Sequence, residues 1–157
     1  MTVQPENQFD SFDLRIIKAL STDARIPFSQ LAEKLRVSNS FIHQRVKKLR
    51  ESGVLTDAVY MVDPLVLGYE TCAYCQIILS NARHHAQVED ELKKIPEIVE
   101  CVNIAGRYAL MVKIFTVNNR HLRDVVYEKI QPIEGVEETN TVMTFETSFT
   151  RSVPIMQ

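Results

Sequence analysis

The apolar positions of this chain change period several times, and each change marks an element. Leu14, Ile17, Ala19 and Leu20 form a rough helical stripe that runs to about Ser21. Asp10 suits the N-cap of that helix and Asp13 its first turn, where carboxylates meet unpaired backbone N–H groups. Pro27 interrupts the stripe. Ser29 is the next N-cap candidate, and Leu31, Ala32 and Leu35 give a short second helix its apolar face. Ser38 caps a third helix reaching about Ser52, with Gly53 placed to end it. Residues 55–62 read as extended and suit a small two-stranded wing.

Further on, the period becomes two. Over residues 70–80, Ala73, Cys75, Ile77 and Leu79 point one way and Cys72, Tyr74, Gln76 and Ile78 the other. Helical spacing returns over 85–94 with Val88, Leu92 and Ile95, and Pro96 ends it. Residues 99–105 and 108–116 read as strands around Gly106-Arg107. Asn118 or Asn119 caps a helix carrying Leu122, Val125, Val126 and Ile130, and Gly135 precedes a last strand over 136–149. This order predicts a ferredoxin-like βαββαβ sandwich. The fold class is therefore α+β: a winged helix-turn-helix domain over 1–63, a linker over 64–69 and a ferredoxin-like domain over 70–157. Helices cover one sheet face. The other keeps Tyr74 and Ile78, so a second chain is expected to bury it and make a dimer.

The third helix carries the functional signal. At about 100° per residue, Ile42, Val46 and Leu49 share one stripe. Ser40, His43, Gln44, Lys47 and Arg50 lie opposite, with Asn39 at the edge. Hydroxyl and amide groups near the helix start can read base edges in a major groove, while cations further along hold phosphates. Residues 35–38 fit the tight turn of a helix-turn-helix. Asn39, Ser40, His43 and Gln44 are the base-reading candidates; Ser38, Arg45, Lys47 and Arg50 are the phosphate candidates. Arg45 lies nearer the buried stripe than Lys47 and can also brace the helix. The alternative is an αα-hairpin with a solvated basic face.

Charge supports this placement. The chain is 157 residues long with a formal net charge of −2. Yet residues 34–50 contain Lys34, Arg36, Arg45, Lys47, Lys48 and Arg50 and no acidic residue. A local basic segment attracts polyanions where the net charge does not. Hydrophobic residues at 45% and charged residues at 24% suit a soluble globular chain and exclude a disordered or fibrous one. No apolar run approaches a membrane span. The polar N-terminus shows no signal peptide, and three cysteines are too few for a disulfide scaffold, so a cytoplasmic protein is expected.

A family resemblance joins these features. Asp10-x-x-Asp13-x-x-Ile16-Ile17-x-x-Leu20, Asp23-Ala24-Arg25, Leu31-Ala32, Val37-Ser38, Val46-Lys47-x-Leu49 and residues 51–55 (Glu-Ser-Gly-Val-Leu) resemble the N-terminal half of Lrp/AsnC-type transcription regulators. The resemblance continues through Asp63-Pro64 and Leu67-Gly68 and covers nearly the whole chain. It implies a DNA-binding dimer that assembles into tetramers or octamers and senses small molecules, often amino acids. The family's Gly-x-Tyr-Asp turn, which lines the effector pocket, corresponds to Gly106, Arg107, Tyr108 and Ala109. The aspartate that would receive a ligand's ammonium is replaced by Ala109, and Arg107 adds a cation. Thr139 and Thr141 match family threonines near the last strand. The ligand expected is an amino acid bound weakly, or a different and more anionic small molecule. A plain tight turn with two strand threonines is the alternative.

Other features point away from chemistry. Cys72-x-x-Cys75 has zinc or redox spacing, but residues three apart on a strand face opposite ways, so no metal is expected. Cys101 reads as a small hydrophobe. His84 and His85 read as exposed histidines at a helix start. His43 has no local nucleophile beside it. There is no phosphate-binding or nucleophile-elbow motif, and only four glycines. No catalytic residue and no cofactor is expected; the chain is not read as an enzyme. The leading function is a sequence-specific, ligand-modulated transcription regulator that binds double-stranded DNA. The alternatives are an architectural DNA-binding protein without an effector site, and an α+β small-molecule domain whose helical part serves assembly.

Overall fold

Asp10 and Asp13 begin the first helix by capping each other. The Asp13 backbone N–H donates to Asp10 Oδ1 at 2.8 Å, and the Asp10 N–H donates to Asp13 Oδ2 at 3.2 Å. The result in the computed structural model, which describes residues 9–155, is helix α1, Ser11–Thr22. Residues 1–8, the stretch read above for a signal peptide, lie outside the described residues. Pro27, with φ near −59°, launches α2, Phe28–Leu35, without a side-chain cap. Ser29, expected as that cap, therefore sits inside the first turn: a proline's fixed φ starts the helix earlier. Arg36 takes a left-handed φ of 56°, and the following N–H of Val37 bonds Ala32 O at 3.0 Å. This reverses the chain into α3, Asn39–Glu51, capped by Ser38 Oγ accepting from the Phe41 N–H at 3.2 Å. Gly53, at φ 77°, lets the chain leave.

Ile16, Leu31 and Ile42 are fully buried between the three helices, with Ile17, Ala32, Val46 and Leu49 around them. Each such burial contributes about 1.5–3 kcal/mol. The wing expected over 55–62 does not form as a paired hairpin: these residues make no strand. The Thr56-Asp57-Ala58 stretch has no glycine for a tight hairpin turn, and Val59 to Val62 are exposed rather than paired.

Four antiparallel strands form the sheet, in the order β2-β3-β1-β4. They are β1 Thr71–Leu79, β2 Ile98–Asn103, β3 Leu110–Thr116 and β4 Val136–Thr144. A 3₁₀ turn, Ala82–His84, leads into α4, His85–Leu92; Asn118 caps α5, Asn119–Asp124. The helix continues as a π turn over Val125–Ile130, closed by the Gln131 N–H to Val126 O. The wider turn places Val125, Val126 and Ile130 all in the core. Ala73, Cys75 and Ile77 meet Leu110, Val112 and Ile114 there, as the alternation in β1 required. β4 ends at Thr144 instead of running to Phe149, because its ladder partner β1 has only Cys72 to offer Thr144. His84 and His85 are half-buried rather than exposed. A Cβ at Gly135, which has φ 102°, would overlap the His84 side chain.

The chain divides into two compact units, one up to Tyr60 together with the residues from Thr150 on, the other Met61–Phe149. The described residues from Thr150 on thus group with the helical unit.

Candidate nucleic-acid interface and effector turn

The face of α3 follows from its anchoring. Ile42, Val46 and Leu49 point into the core, so Asn39, Ser40, His43, Gln44, Lys47 and Arg50 are left exposed, and Ser38 with them. The structure brings these seven onto one accessible surface. His43 packs edge-on against Phe28, with ring centroids 4.8 Å apart. Lys47 has only a loose pairing with Glu51 at 3.8 Å, one helical turn along. Among the described residues, Lys48 and Arg50 have no ion-pair partner. The surface is therefore polar at the helix start and cationic further on.

Arg45 is placed differently. Its Nη1 lies 2.6 Å from Asp10 Oδ2 and 3.2 Å from Asp13 Oδ1. The guanidinium also stands 5.0 Å from the centre of the Phe41 ring. Asp13 is buried, and the Arg45 side chain is 28% exposed. The two carboxylates that cap α1 thus hold α3 in register against it. The pKa of Asp10 is below the ordinary aspartate value: the Asp13 backbone N–H and, after it, Arg45 favour the charged form over the opposing effect of burial. This link was missed in the sequence, where Asp13 was assigned only to a helix start. The available signal was an acidic residue three positions before Ile16, inside the apolar stripe.

The turn between β2 and β3 is built by Gly106 at φ 132° and closed by the Ile104 N–H to Ala109 O at 3.0 Å. Ala109 also donates its N–H to Ile77 O at 2.9 Å. Arg107 Nη2 is bonded to Glu138 Oε2 at 2.9 Å and stands 5.7 Å from the centre of the Tyr108 ring. The cation expected at this turn is therefore neutralised from β4, by a residue that sequence reading passed over although it directly precedes Thr139. Thr139 Oγ1 accepts from Gln131 Nε2 at 2.8 Å, and Thr141 sits opposite Cys75. The backbone and the Arg107–Glu138 bond tie the turn to β1 and β4.

Cys72 is half-buried and Cys75 buried on the opposite sheet face; burial pushes the Cys75 thiol up, and burial followed by Glu89 raises that of Cys101. No group of three metal-ligating side chains occurs among the described residues. Nor is any described helix long and apolar enough to cross a membrane.

Comparison with known proteins agrees with both halves of this picture. Residues 9–50 match the AsnC-type helix-turn-helix domain, and residues 72–154 match the Lrp/AsnC ligand binding domain. The chain is 32% identical to the regulatory protein AsnC of Haemophilus influenzae over 94% of its own length and 98% of that protein. It is 38% identical to the HTH-type transcriptional regulator FL11 of Pyrococcus abyssi, over 88% and 90%. The solved structure of E. coli AsnC superimposes with a TM-score of 0.87 at 30% identity, covering 92% of this chain and 97% of that one. The fold also matches the regulator NMB0573 of Neisseria meningitidis, solved as an L-Met complex, with a TM-score of 0.87 at 17% identity over 94% and 97%. By these matches over both halves of its length, the chain belongs to the Lrp/AsnC family of transcriptional regulators.

Proposed function

We propose that this regulator reads a specific DNA sequence through the exposed face of α3, works in the cytoplasm as a homodimer or a tetramer or octamer of it, and is modulated by an amino acid or a related small ligand. The observation that carries the reading is the division of cations on α3. Arg45 is committed to Asp10 and Asp13, while Lys47 and Arg50 point outward beside His43 and Gln44. In this reading Asn39, Ser40, His43 and Gln44 meet base edges. Ser38, Lys47 and Arg50 meet phosphates, and Arg45 sets the helix register. The residues over 1–63 act as the DNA-binding part and those over 70–157 as the assembling and sensing part.

Assembly follows from the sheet. Its face away from the helices carries Tyr74, Ile78, Met111 and Phe115, none fully buried, and Val142 is 53% exposed. A second copy covering this face would remove that apolar surface from water. The ligand reading rests on the turn at Gly106 to Ala109 with Thr139 and Thr141, and on the amino-acid complex of the Neisseria regulator. Backbone N–H groups near Gly106 would hold a carboxylate. Ala109 offers nothing to an ammonium group, and Arg107 is already paired. That pairing favours a second reading, an architectural DNA-binding protein without an effector.

Fluorescence anisotropy tests the DNA function: the protein is titrated into its own upstream duplex and a scrambled duplex, across salt. Tighter binding to the native duplex, weakened by Lys47→Ala, is expected. Equal affinities would support the architectural reading, and no binding at low salt would defeat both. Isothermal titration with a panel of amino acids tests the effector: silence from every member removes the amino-acid reading.

A further inference from the structure

The helical unit is completed by residues from the opposite end of the chain. Ile155 is half-buried and packs against the core cluster built on Ile16, Leu31 and Ile42. It lies beside an apolar groove of about 820 Å³, whose walls include Leu14, Ile17 and Leu20 from α1 together with Val54 and Leu55 after α3. Ser152, Val153 and Pro154 line the same groove, with Val153 itself 81% exposed. Val153 and Ile155 alternate as neighbours in an extended peptide do: one side chain turns outward, the other inward. Pro154 between them restricts the backbone and lowers the entropy lost on docking.

We propose that the chain's own C-terminal segment is an intrachain strap on α1, seated by Ile155 against the helical core and forming one wall of this groove. The segment follows β4 after a short connection, so the strand bearing Glu138, Thr139 and Thr141 is tied by the chain to the DNA-binding unit at a second place, besides the linker after Tyr60. Removing the anchor loosens α1 without touching the sheet. Arg50 of the exposed α3 surface described above also lines this groove.

Amide hydrogen exchange on the full-length chain tests this. Ile155→Asp is expected to speed exchange at Ile17 and Leu20 at least fivefold, and Ile155→Ala to give a smaller increase of the same pattern. Amides of Ala73 and Ile77 in β1 stay at the parent rate, which shows that the protein has folded. Ile155→Val restores most of the protection, and Val153→Asp behaves as the parent. Parent rates at Ile17 and Leu20 in Ile155→Asp would overturn the strap. So would protection of α1 that rises with protein concentration, because the seat of Ile155 would then be taken by the tail of a second copy.

Discussion

Each unit carries an arginine bonded to carboxylates, and the two pairs differ in every physical respect. Arg45 is 28% exposed and is gripped by two aspartates from another helix, one of them only 12% exposed. Arg107 is 69% exposed and meets a single glutamate that is itself half in water. The first pair is screened little, and its carboxylates are also fixed by backbone N–H groups. The second is worth about 0–1 kcal/mol, so a ligand can replace either partner at small cost. An arginine near a functional surface is thus part of the architecture when its partner is buried, and exchangeable when its partner is exposed.

That contrast can be broken by mutation. Asp13→Ala removes half of a capping box and leaves Arg45 short of a partner inside a partly buried contact. It is expected to cost about 2–3 kcal/mol in urea unfolding of the helical unit and to weaken DNA binding on every sequence. Gly135→Ala is the counterpart in the other unit. The left-handed backbone there and the overlap with His84 are expected to cost about 1–3 kcal/mol, leaving α3 and its DNA affinity in place. If either variant unfolded both units together at the same midpoint, the two cores would not be separate.

Smaller effects sharpen the comparison. Lys47→Ala is expected to weaken specific and scrambled duplexes alike and to reduce the slope of log K against log salt by about one, read by anisotropy. The charge on Asp10 contributes stability through a lowered folded-state pKa. That contribution is complete above the ordinary aspartate range and disappears as pH falls through the folded value, below about pH 4. Asp10→Asn is therefore expected to flatten the acid limb of the stability profile, seen in urea midpoints between about pH 5 and pH 3. Arg107→Ala is expected to change stability by less than about 0.5 kcal/mol. Loss of more than that would mean the turn's arginine is structural too.

Much of the architecture was legible because it rests on local signals. Asp10, Ser38 and Asn118 cap their helices as their side-chain chemistry requires, and the alternation from Ala73 to Leu79 set the sheet's inner face. The outward set on α3 followed from Ile42, Val46 and Leu49. What escaped depends on partners distant in sequence. Arg45 meets Asp13 across 32 residues, and Arg107 meets Glu138 across 31. The end of β4 is set by where β1 begins, and the seat of Ile155 by a groove more than a hundred residues earlier. The wing failed for another reason: alternating apolar residues satisfy a strand pattern without supplying a ladder partner.

The central claim is that the exposed residues of α3 read sequence while Arg45 holds them in place. Its most direct test is the ratio of affinities for the native and scrambled duplexes, measured for the parent and for the His43→Ala, Gln44→Ala double variant at one salt concentration. The ratio is expected to fall at least tenfold, about 1.4 kcal/mol of discrimination, while affinity for the scrambled duplex is preserved. An unchanged ratio would contradict it and place base readout on another surface.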